Sequence, residues 1–169
     1  MNTKSEFPIN FETIQTLFRH NLWANTILFD ICSNLSNEQL DSKIIGTYGT
    51  IRDTLIHIAR AERSYLNRLT KTSPPPRKEG TPLPTLEELQ ISIYSTGEGL
   101  IEIAPKIQPQ DTVDVNWGGE IIPFPSSVIL TQAINHATEH REQIKVMLSQ
   151  IGIQPPDMDG WTFYDQFIQ

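Results

Sequence analysis

Three histidines carry the chemistry available to this chain. His136 and His140 are spaced i,i+4, which on a helix places them about 40° apart on one face. Ile129, Ala133, Ala137, Ile144, Met147 and Ile151 fall in the same sector, so both imidazoles are expected to point inward. Two imidazoles on a buried face have few hydrogen-bond partners and repel if both are charged. A divalent metal resolves that conflict, because it takes neutral imidazole nitrogens at about 2.0–2.1 Å. His57, beside Thr54 and Ala61 at the edge of another apolar stripe, is a candidate third ligand. Three protein ligands leave a position for water or substrate, the pattern of catalytic rather than structural sites. The competing account keeps His136 and His140 as ordinary partly buried residues, bonded to side chains or backbone.

Two familiar metal patterns fail at single positions. A metalloprotease HExxH needs Glu at position 137, where the chain has Ala137. A di-iron bundle needs Glu three residues before its histidines, and Thr54, Ala133 and Ala137 stand there instead.

Other polar residues are weaker candidates. Asn21 and Asn25 fall inside an apolar stripe, where they either contact metal-bound water or hydrogen-bond within the bundle. Glu139 precedes His140 on the flank of the apolar face, as a base, a support for the ligands or a solvated side chain. Glu62 lies about 140° around its helix from His57, so the two cannot share one ion. Pairing with a cation such as Arg141 accounts for Glu62 better. His20, about 100° from the centre of its helix stripe, reads as a surface residue. Cys32 sits centrally in that stripe and reads as a small buried hydrophobe.

Four helices are needed to position these groups. Phe11, Ile14, Phe18, Leu22, Leu28, Cys32 and Leu35 recur every three or four residues and predict a helix from about Asn10 to Leu35. A second runs from about Ile51 to Leu69, with Thr50 and Asp53 as a relaxed capping box. Lys71–Thr85 holds five of the twelve prolines, and proline's missing N–H makes this a loop. Its length marks it as functional or as a surface excursion. Thr85 with Glu88 caps a third helix, Leu86 to Ala104, which Gly97 and Gly99 should weaken by up to about 1 kcal/mol each. Val113 to Ile122, with Gly118-Gly119 at its centre, reads as a short hairpin. Ser126 or Ser127 should cap a fourth helix that ends near Ile151, just before Gly152. The tail carries Trp161, Phe163, Tyr164 and Phe167 and should pack on the bundle or on a partner. The expected fold is therefore all-α: a four-helix, mostly up-down bundle with a short β-hairpin and a Pro-rich loop.

Composition bounds what such a bundle does. With 169 residues and 38% hydrophobic content, a single domain over 1–169 with its own core is expected. Thirteen basic against twenty acidic residues give a net charge of −7, which disfavours nucleic acid as a partner. One cysteine allows no internal disulfide and no Cys-based zinc module. No apolar run approaches the ~20 residues of a membrane span, and MNTKSEFPIN lacks an apolar signal region. A soluble, cytoplasmic protein is expected.

Several segments together resemble the DinB family. They are Asn21-Leu22-Trp23-Ala24-Asn25, Ile51 to His57 with Ala61-Glu62, and Asn135-His136 through His140-Arg141 to Gln143-Ile144. Leu148 to Gly152 leading into Pro155-Pro156-Asp157 is similar to the family's ending. The resemblance spans most of the chain, and the block around His136 and His140 is its most specific part. It implies a metal-binding four-helix bundle related to the YfiT-like thiol transferases and unrelated to the DNA polymerase that shares the DinB name. It further implies a three-histidine site, which maps onto His57, His136 and His140. Relatives of this kind include thiol S-transferases, a thiol-dependent isomerase and hydrolase-type proteins, while many have no assigned reaction. The Pro-rich insertion over 71–85 departs from a minimal member.

The expectation is a metal-dependent enzyme, using zinc, nickel or iron, that acts on a small molecule, with a low-molecular-weight thiol as co-substrate. The metal would lower the pKa of bound water or bind a thiolate. The alternatives are a non-catalytic, stress-related metal- or ligand-binding bundle and a helical interaction protein with core histidines. A homodimer, built from apolar helix surface and the aromatic tail, is expected partly from the resemblance.

Overall fold

The computed structural model describes residues 13–73 and 80–166. The predicted helix start at Asn10 and Phe11, the Pro74–Pro76 run and Phe167 lie outside them.

In chain order the elements are α1 (Thr13–Ser33), α2 (Asn37–Leu40), α3 (Ile51–Leu69), α4 (Leu86–Ile103), a 3-10 turn (Ala104–Lys106), β1 (Thr112–Trp117), β2 (Glu120–Pro125), α5 (Ser126–Gln150) and α6 (Gly160–Asp165). The predicted caps at Thr50 and Thr85 form, each as a reciprocal capping box with Asp53 or Glu88. The cap expected at Ser126 or Ser127 does not form. Pro125 occupies that position without a side-chain bond, because β2 runs straight into α5 and the Ser126 N–H is taken by Asp111 O at 2.8 Å. At the other end of α5, Gly152 adopts φ +80°. The Ile153 and Gly152 N–H groups then donate to Leu148 O and Ser149 O, which closes the helix as a Schellman motif.

α1 packs against α4 and α5, and so does α3, which places α1 and α3 on a diagonal of the bundle. Leu22 faces Gly97 while Asp30 bonds Gln90, so α1 and α4 are antiparallel. Arg63 bonds Ser92 and Thr96 while Leu66 faces Gly99, so α3 and α4 are parallel. Tyr48, just before α3, bonds Gln143, whereas Tyr65 meets His136, so α3 and α5 are antiparallel. The up-down alternation is thus broken once, between α3 and α4. That break explains the long Pro-rich connection. An 18-residue α4 spans about 27 Å, and returning the chain along it takes at least about eight extended residues.

Gly97 and Gly99 have a packing role that outweighs their poor helix propensity. A Cβ on Gly97 would sit 2.5 Å from Leu22 Cδ1, and one on Gly99 would sit 2.7 Å from Leu66 Cδ2. Their bare backbone lets α4 approach α1 and α3 closely. The hairpin forms as predicted, with Trp117 opposite Glu120 and the turn at Gly118 and Gly119, both at positive φ. Val113 and Val115 point into the core formed by Phe18, Leu28, Phe29, Leu55, Ile58, Leu100, Ile144 and Met147. No helix among the described residues is long and apolar enough to cross a membrane.

Candidate metal centre

His57 lies in the second turn of α3, and His136 and His140 lie on successive turns of α5. Because α3 and α5 are neighbours, the three imidazoles converge. One ligating atom from each can be chosen so that all lie within 4.8 Å of one another. His57 Nε2 and His136 Nε2 are 2.8 Å apart. The ring centroids of His57 and His140 are separated by 4.7 Å, and those of His136 and His140 by 4.5 Å. His140 is buried, while His57 and His136 are partly exposed and open the cluster to solvent.

The tautomer of His140 follows from its neighbour. Gln143 Oε1 accepts the backbone N–H of Tyr48 at 3.0 Å, which identifies that atom as the carbonyl oxygen. His140 Nδ1, 3.1 Å from the same oxygen, must then be the donor. In the neutral ring Nε2 then keeps the lone pair, the arrangement by which an outer partner orients a metal-binding histidine. Tyr48 also stacks on His57 with centroids 3.9 Å apart and planes inclined by 16°. Tyr65 meets His136 edge-on.

Burial and the neighbouring imidazoles favour the neutral form of His57 and His136. Desolvation, then His140 and His57, push His136 down to about 4. Desolvation, then His140, lower His57 as well. Neutral imidazole is the form a divalent ion needs. His136 Nδ1 is buried without a partner among the described residues, so the nitrogen bonded there is Nε2, toward the cluster. Three converging imidazoles fit a borderline divalent cation.

The remaining candidates go elsewhere. Asn21 and Asn25 each donate Nδ2 to Glu62 Oε1 at 2.7 Å. Each also accepts from Arg141 Nη1, at 2.7 and 2.8 Å respectively. Glu62 and Arg141, expected to pair, are therefore linked through two asparagines in a fully buried network. Neither asparagine bonds a histidine of the cluster. Glu139 is exposed and hydrogen-bonds to none of the three histidines.

His20 is not the surface residue that its helix position suggests. Its Nε2 lies 2.8 Å from Met158 O, and its ring meets Phe163 edge-on. The cause is the tail, which folds back over α1, and helical periodicity cannot reveal a cover supplied from elsewhere in the chain. Phe163 is buried by that packing, while Trp161 and Tyr164 stay exposed. Cys32 is fully buried as expected, and desolvation pushes its thiol up to about 12.

Tyr48 and Gln143 are the site residues that sequence reasoning missed. Gln143 stands three residues after His140, a spacing at which helix side chains meet, so its signal was present. Tyr48 lies between helices and has no periodicity to betray it.

The model of the DinB family matches residues 1–167. The crystal structure of a DinB-like protein from Bacillus cereus ATCC 10987 is similar to this chain, with 21% sequence identity and a TM-score of 0.61. The likeness covers 83% of this chain and 91% of that one. No curated protein matches.

Proposed function

The chain belongs to the DinB family, and from that premise we propose that it is a divalent-metal enzyme acting on a small molecule through His57, His136 and His140. The observation that carries this reading is the convergence of three imidazole rings on one point between α3 and α5. A bound zinc, nickel or iron ion would supply Lewis acidity and a lowered pKa for a coordinated thiol or water. The chain's own residues do the rest. Gln143 fixes the His140 tautomer, Tyr48 shields one face of His57, and burial holds His57 and His136 neutral.

A thiol S-transferase or hydrolase type of reaction suits the site, with a low-molecular-weight thiol as co-substrate. Cys32 is buried and its thiol is held protonated, so a reacting thiolate has to come from outside the protein. A lone, unbridged cysteine also suits a reducing compartment, and we place the protein in the cytoplasm on that ground. Exposed Ile91, Tyr94 and Trp161 offer apolar surface for a homodimer.

The test is a metal titration of the folded chain followed by turnover of thiols with model electrophiles. Stoichiometric binding of one divalent ion, lost in His136→Ala, and turnover lost in His57→Ala are the expected results. Metal binding that survives His136→Ala would refute the site. Binding without turnover would leave a metal-binding bundle protein in place of an enzyme.

A further inference from the structure

A polar groove of about 390 Å³ lies between the outer face of α3 and β1. Arg60, Ser64, Asn67 and Arg68 line it on the α3 side, and Asp114 and Asn116 on the β1 side. Arg63 also reaches the groove, but its guanidinium is engaged by Thr96 Oγ1 at 2.9 Å and Ser92 Oγ at 3.0 Å. Arg60 and Arg68 are different. Neither takes part in an ion pair among the described residues. Arg60 has no hydrogen-bond partner there, and Arg68 uses only Nε, toward Ser64 Oγ at 3.4 Å. Asp114, the one carboxylate of the lining among the described residues, is paired with neither.

Two guanidiniums without an ion pair among the described residues, beside one concave, hydroxyl- and amide-lined wall, stand out in a chain of net charge −7. Guanidinium presents a fork of donors that matches the paired oxygens of a carboxylate or phosphate. The groove is also close to the histidines. Arg60 and Ser64 follow His57 by about one and two turns of α3, and they lie about 60° and 20° around the helix from it. Arg68 follows one turn later, on the same outward face.

We propose that this groove binds the anionic group, carboxylate or phosphate, of the small molecule whose reacting end lies at the histidine cluster. Anion binding stands on the groove alone, whereas its link to the reacting end rests on the metal-site reading above. The groove then selects an anionic metabolite over a neutral or cationic one.

The experiment titrates the ¹⁵N-labelled full chain, in low-chloride buffer, with inorganic phosphate, with succinate and with neutral succinamide. Zinc binding is measured in parallel. Saturable shifts of the Ser64, Asn67 and Arg68 amides are expected with the anions and not with succinamide, and the tighter of the two anions identifies the oxyanion preferred. Replacing both arginines, Arg60→Gln with Arg68→Gln, should weaken anion binding about tenfold or more and leave zinc binding unchanged. Shifts that never saturate, or an affinity that the double variant retains, would overturn the anion site. If that happens while zinc binding still depends on His136, the metal reading stands and only the groove proposal falls. If the anions saturate but zinc does not bind, the metal reading falls and the anion site remains.

The link between the two sites has its own measurement. Zinc-loaded protein should bind 3-mercaptopropionate about tenfold more tightly than 2-mercaptoethanol, and the double variant should erase the difference. Equal binding of the two thiols to the unsubstituted protein would break the link.

Discussion

His57 and His136 face each other Nε2 to Nε2 at 2.8 Å across the α3–α5 interface. At most one of the two nitrogens can carry a proton at that distance, since two N–H groups would collide and two charges would repel. Folding therefore places a proton-poor pair where an unfolded chain would hold two ordinary imidazoles.

The pH dependence of the metal-free protein follows from that pair. Unfolded histidines protonate near 6.5, whereas burial holds His136 at about 4 and lowers His57. Between those values the unfolded state binds more protons, so the contribution is fully present above about pH 6.5 and is lost as pH falls toward 4. His136 is half-buried, so after solvent screening its loss is on the order of 1–2 kcal/mol. Urea denaturation at pH 7.5 and 4.5 should show a flatter dependence for His136→Gln. An equally steep decline in that variant would count against this assignment.

Gln143→Ala removes the acceptor that sets the His140 tautomer. Outer partners of this kind are worth about 10–100-fold in metal affinity. Isothermal titration with zinc should show a loss in that range with the helical content unchanged, and an unaltered affinity would show that the tautomer needs no support.

The buried Glu62–Asn21–Asn25–Arg141 network should respond unequally to two substitutions. Glu62→Leu leaves two buried amide donors without their acceptor and the buried Arg141 guanidinium without its countercharge, at a cost of about 3–5 kcal/mol. Glu62→Gln keeps a carbonyl for both asparagines and should cost about half of that or less. Equilibrium unfolding in urea measures both, and equal losses would mean that charge rather than hydrogen bonding dominates.

Gly97→Ala should destabilise the protein by about 1–3 kcal/mol, although alanine is the better helix former. The added Cβ would meet the Leu22 side chain at 2.5–3.0 Å, Leu22 Cβ included, so α1 and α4 must separate. A thermal melt that rises would show the interface to be loose.

Sedimentation equilibrium should give twice the chain mass at micromolar concentration, with Trp161→Ser or Tyr94→Ser weakening the association. A single-chain mass would remove the homodimer.

Much of this arrangement was legible in the residues. α3 has the predicted limits, both capping boxes and the Gly118-Gly119 turn form, and of the i,i+4 histidines His140 is buried while His136 stays partly exposed, because helix periodicity, caps and turns act over a few neighbours. Local rules also named His57 as a candidate ligand. They could not bring it to His136, 79 positions away, since that meeting depends on which helices become neighbours and in which direction they run. The same limit hid the role of Gly97, whose propensity argues against a helix and whose missing Cβ admits Leu22. It made His20 look exposed, because its cover comes from Met158 and Phe163 in the tail. It also let Asn21 and Asn25 stand as candidates beside the histidines until Glu62 and Arg141 claimed them. The sequence by itself determined the four long helices, their inward faces and the imidazoles available as ligands. Tertiary structure alone decided which of those faces meet, because contacts between distant segments depend on packing that no short window of residues contains.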